Sequence, residues 1–67
     1  MTSDKALLAT AREHLTDNEF RVWFAKHYQH LGRRSGSLAL GITEEAWRYR
    51  LNTATRKIND AIKEQAA

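Results

Sequence analysis

Arg48, Tyr49, Asn52 and Arg56 are the residues whose types and spacing point to chemistry in this chain. At 3.6 residues per turn they share one side of a helix, while Trp47, Leu51, Ala54 and Ile58 form an apolar stripe on the other. A helix with a buried seam and a basic, hydrogen-bonding outer face suits a DNA major groove. Other chemistry finds little to work with. His27 and His30 stand at i, i+3 with His14 upstream, but two imidazoles without a carboxylate at the matching turn do not complete a zinc site. The chain has no cysteine, no Gly-rich phosphate loop and no spaced His/carboxylate set, so neither catalysis, a metal nor a cofactor is expected.

The elements that must position this face belong to a small chain. Sixty-seven residues make one domain, near the size where a single core is marginally stable, with no room for a cleft walled on several sides. With 42% hydrophobic and 28% charged residues it is expected to fold. The lack of cysteine fits a reducing compartment, and no apolar run reaches the length of a membrane span or a signal-peptide core, so a cytoplasmic, membrane-free protein is expected. The charge is unevenly placed. Residues 1–31 balance to zero, residues 32–57 carry a net +4 and residues 58–67 a net −1. Five of the six cations in the middle third are arginines, which suit bidentate contacts to phosphate and guanine.

Proline is absent and glycine occurs only at 32, 36 and 41, which favours an all-α domain of four helices. An accessory helix is predicted over 4–14, capped by Thr2 or Ser3, with Leu7, Leu8, Ala11 and Leu15 as its seam. Thr16 and Glu19 match a capping box, opening a core helix over 17–30 that carries Phe20, Val22, Trp23, Phe24 and Tyr28, with Gly32 as its C-cap. A short scaffold helix over 34–40 should stop at Gly41. Ile42 then plugs the turn, and Thr43 with Glu44 and Glu45 starts a long C-terminal helix over 44–65.

A short helix, a Gly-containing turn and a Thr-capped second helix spell a helix-turn-helix. Read without a gap, LTDNEFRVW…HL…LALGITEEAWRYRLNTATRKI resembles the C-terminal promoter-reading region of bacterial sigma factors, and is similar to the LuxR-type DNA-binding domain. The matching signals are Leu15-Thr16, Glu19, Val22 and Leu40-Gly41-Ile42-Thr43-Glu44. Arg48, Arg50, Leu51, Ala54, Lys57 and Ile58 complete it, where the family shows R-x-R-L-x-x-A-x-x-K-L. Gly36-Ser37 and Trp47 depart from the family, which has an aliphatic-Ala pair and a valine or isoleucine there. In the family both positions face one small core, so the resemblance implies that Trp47 fills the space that Gly36 vacates.

The resemblance implies roles. Glu45, Arg48, Tyr49 and Asn52 would face base edges, with Arg48 suited to guanine and Asn52 to adenine. Arg33, Arg34, Thr43, Arg56 and Lys57 would hold phosphates. Gly36, Leu40, Ile42, Trp47 and Leu51 would support the motif, and Arg50 would pair with Glu19 or another acid as scaffold. The expected function is a sequence-specific regulator of transcription of bacterial or phage type that binds double-stranded DNA. Homodimerisation through the C-terminal helix around Ile58, Ala61 and Ile62 is one option and intramolecular packing of that seam the other. The alternative function is a helical adaptor that binds RNA polymerase, a sigma factor or another regulator without touching DNA. A surplus of exposed aromatics from Phe20, Trp23, Phe24 and Tyr28 would point that way.

Overall fold

The chain folds as four helices, α1 (Asp4–His14), α2 (Asp17–Tyr28), α3 (Arg33–Leu40) and α4 (Glu44–Ala66), in a computed structural model that describes residues 4–66. There is no strand among the described residues. The expected Thr2 or Ser3 cap of α1 lies outside them. At about 1.5 Å per residue the 23 residues of α4 run for roughly 34 Å, which accounts for the 37 Å long axis of the molecule. All three shorter helices pack against α4.

The starts of α2 and α4 follow from local chemistry. Thr16 caps α2 in the reciprocal manner its spacing predicts: the Glu19 N–H donates to Thr16 Oγ1 at 3.3 Å and the Thr16 N–H donates to Glu19 Oε1 at 3.0 Å. Thr43 does the same service for α4, its Oγ1 accepting from the Ala46 N–H at 3.0 Å. Gly41 closes α3 in the left-handed region (φ 66°), with its own N–H donating to the Leu38 carbonyl and the Ile42 N–H donating to that of Ser37.

The end of α2 differs from the expectation. The helix stops at Tyr28 instead of His30, and Gly32 is the extended N-cap of α3, which begins at Arg33, one residue early. His30 takes the left-handed conformation (φ 56°) that glycine would favour. This reversal brings Leu31 back, its N–H donating to the Ala25 carbonyl at 3.0 Å, and Leu31 packs against the core. The apolar anchor therefore sets where the helix ends, ahead of the nearby glycine.

Two apolar clusters form the interior. Ala11, Leu15, Trp23, Ala54 and Ile58 join α1, α2 and the later part of α4, with Leu7, Leu8, Phe20, Phe24 and Tyr28 half-buried around them. Val22, Ala25 and Trp47 form the second, flanked by Leu31, Leu40, Ile42 and Leu51. Of the aromatics on α2, only Trp23 is fully inside. Phe20, Phe24 and Tyr28 stand on successive turns with ring centroids 5.8 and 5.1 Å apart, and Arg12 lies over Phe20. Ile58 and Ala61 are buried within the chain, which favours the intramolecular reading of that seam; Ile62 remains exposed.

Gly36 and Trp47 meet where α3 crosses α4. A Cβ built on Gly36 would overlap the Trp47 indole, lying against Cη2 and Cζ3 and 2.8 Å from Cζ2. Trp47 itself is 2% exposed. The neighbouring Ser37 is also buried, and its hydroxyl donates to the Arg34 carbonyl at 3.0 Å, so the interior polar atom is satisfied. The expected exchange of volume between the two helices is present.

Candidate nucleic-acid interface

The buried stripe of α4 fixes which way its other side looks. Trp47, Ala54, Ile58 and Ala61 are held in the core and Leu51 is half-buried. Glu45, Arg48, Tyr49, Asn52 and Arg56 are exposed together on the remaining surface, Tyr49 at 73%. Every residue expected to face a base edge is therefore solvent-accessible on one helical stripe. Among the described residues, Arg34, Arg48, Arg50 and Arg56 form no ion pair.

The residues expected to hold phosphate divide into two groups. Arg34 and Arg56 are exposed without an acidic partner among the described residues. The Thr43 hydroxyl already accepts from the Ala46 N–H as helix cap, and its own O–H remains as a donor. Arg33 and Lys57 both hold carboxylates. Arg33 Nε donates to Glu44 Oε1 at 2.9 Å, linking the starts of α3 and α4 in an open, well-hydrated pair. Lys57 Nζ donates to Glu19 Oε1 at 2.8 Å, joining the middle of α4 to the start of α2.

Arg50 is expected to pair with Glu19 or another acid, and among the described residues it pairs with neither. Lys57 and Arg50 are seven residues apart, nearly two full turns, so both stand on the same edge of α4. Glu19 takes Lys57. Burial alone would raise the Glu19 carboxyl, but the Lys57 hydrogen bond and charge and the Thr16 hydrogen bonds outweigh it and hold the group below its ordinary value. Arg50 is left half-buried, with no side-chain partner among the described residues.

Two depressions flank the exposed stripe. One, of about 310 Å³, lies between Arg33, Glu44, Glu45 and Arg48. The other, of about 530 Å³, lies between the start of α2 and the first turns of α4 and is lined by Asn18, Glu19, Tyr49 and Arg50, among others. A third and more apolar groove of about 550 Å³ runs along the later part of α4, with Trp23, Tyr28, Ile58 and Ile62 in its walls and His27 and His30 beside them. His27 stands 5.3 Å from the Trp23 ring, and among the described residues no group of three metal-ligating side chains is assembled.

Among the described residues, no helix is long and apolar enough to cross a membrane. Comparison with protein families, with curated proteins and with solved structures gives no match for the chain.

Proposed function

We propose that the chain is a sequence-specific double-stranded DNA-binding regulator of transcription, of bacterial or phage type, without catalytic activity. It reads the major groove with the helix that starts after Thr43. The observation that carries this reading is the stripe Glu45, Arg48, Tyr49, Asn52 and Arg56: exposed, basic on balance, and directly opposite a seam locked into the core. Arg48 would address guanine and Asn52 adenine, with Arg34 and Arg56 on phosphates. The connectivity α3, three-residue turn, α4 supports it, because a groove-reading helix needs a short, fixed scaffold helix behind it. So does the Gly36–Trp47 contact, which sets how closely the two helices approach.

Selection of bound sites from random duplex DNA tests the proposal directly. A defined consensus with binding that weakens steeply in salt is the expected result. A palindromic consensus would add a dimer on a two-fold site, and failure to enrich any duplex would overturn the reading.

One observation favours a second reading, the helical adaptor. Leu38 is 76% exposed on α3, and the ladder Phe20, Phe24, Tyr28 is only half-buried. An adaptor would bind RNA polymerase, a sigma factor or another regulator, and would retain that partner when Arg48 and Asn52 are removed.

A further inference from the structure

We propose that Arg50, with Asn18 beside it, forms a seat for a backbone phosphate on the α2-facing flank of α4, so that a bound duplex is held from both walls of its major groove. This rests on the DNA-reading assignment of α4 and adds a contact to it.

A helix lying in a major groove has a phosphate strand on each side, and backbone contacts on both sides fix its register. On one flank Arg34 is exposed and forms no ion pair among the described residues, while Arg33 is shared with Glu44. On the other, Lys57 is engaged by Glu19 at 2.8 Å. Arg50 is the cation that lines the cleft on that side, together with Asn18 and Tyr49. A half-buried guanidinium with no acidic partner among the described residues has hydrogen-bonding capacity those residues leave unused. A planar fork of donors suits a phosphodiester, and the Asn18 side-chain amide adds a neutral donor. Glu19 lines the same cleft, but its charge is balanced by Lys57. Glu45 also lines it, about 140° of helix rotation from Arg50 and on the base-facing stripe, so its carboxylate belongs at the other edge.

The test uses the full chain and its selected duplex, with binding followed by anisotropy over a salt series. Arg50→Ala should reduce the slope of log K against log salt by about 0.9 and weaken specific and non-specific duplexes alike. Arg50→Lys should keep the slope. A neutral methylphosphonate placed at the contacted phosphate should erase the difference between wild type and Arg50→Ala. Helicity by circular dichroism at the binding temperature shows that each variant compared is folded, and the Arg50→Lys result does not depend on Arg50→Ala folding. In NMR titrations the Arg50 Nε–H should shift with duplex and stay in place with inorganic phosphate at equal phosphate concentration. An equal shift with inorganic phosphate would make the cleft a free-anion site and overturn the strand contact. A wild-type slope in Arg50→Ala, with the wild type binding steeply, overturns the seat while leaving the DNA reading intact. Absence of any duplex binding by the wild type overturns both.

Discussion

The indole of Trp47 occupies the volume that a side chain at Gly36 would need. Alanine in place of a helical glycine ordinarily stabilises by about 0.5–1 kcal/mol through backbone entropy. Here the added methyl meets a fully enclosed ring. Gly36→Ala is expected to destabilise by about 1–3 kcal/mol, lowering Tm by at least roughly 5 °C, and Gly36→Ile by more. Combining Gly36→Ala with Trp47→Leu should recover part of that loss. An unchanged or higher Tm for Gly36→Ala would falsify the contact.

Glu19 links acid conditions to stability. Its carboxyl is held below its ordinary value, so its contribution is fully present above the unfolded-state value and is lost as pH falls through the folded one. Melting curves of wild type and Glu19→Gln should be well separated near neutrality and converge below about pH 4. A gap that stays constant down to low pH would show that the substitution acts through packing or the cap alone.

The local signals in the sequence carried far. Thr16 with Glu19, and Gly41-Ile42-Thr43, predict the starts of α2 and α4 because caps depend on residues three positions apart. The Gly36–Trp47 exchange was also legible, since a missing side chain on one helix and an oversized one on its neighbour balance only if they face each other. Two features were not. The reversal after α2 falls at His30 because Leu31 is drawn into the core, a tertiary demand that overrides the local preference for Gly32. Arg50, expected to pair with Glu19 or another acid, leaves Glu19 to Lys57: the two cations share one edge of α4, and periodicity cannot choose between residues seven apart.

Arg48 and Asn52 are exposed and make no ion pair, so changing either should leave stability within about 0.5 kcal/mol. Under the DNA reading, Arg48→Ala and Asn52→Ala should each cost about 1–3 kcal/mol of discrimination between the selected duplex and a scrambled one. Competition binding measures this. Intact discrimination in both variants would place the reading face elsewhere.

Under the DNA reading, Glu44 restrains a cation that a backbone phosphate would otherwise attract. The Arg33–Glu44 pair is well exposed, so its loss should change stability by no more than about 1 kcal/mol, with a further few tenths from the first turn of α4. Freed from its carboxylate, Arg33 should bind the backbone more fully. Glu44→Gln is therefore expected to tighten duplex binding at low salt and to steepen its salt dependence by up to about 0.9. Weaker binding in this variant would mean that Glu44 positions Arg33 for the phosphate.

The chain has two tryptophans, and they fall one in each apolar cluster: Trp23 beside α1, and Trp47 between α3 and α4. Each half of the interior thus carries its own fluorophore. With Trp47→Phe the remaining emission reports on the α1 side, and with Trp23→Phe on the α3–α4 side. The loosening of that pair of helices, or its tightening around a ligand, becomes an optical signal separable from the melting of the rest, without any label.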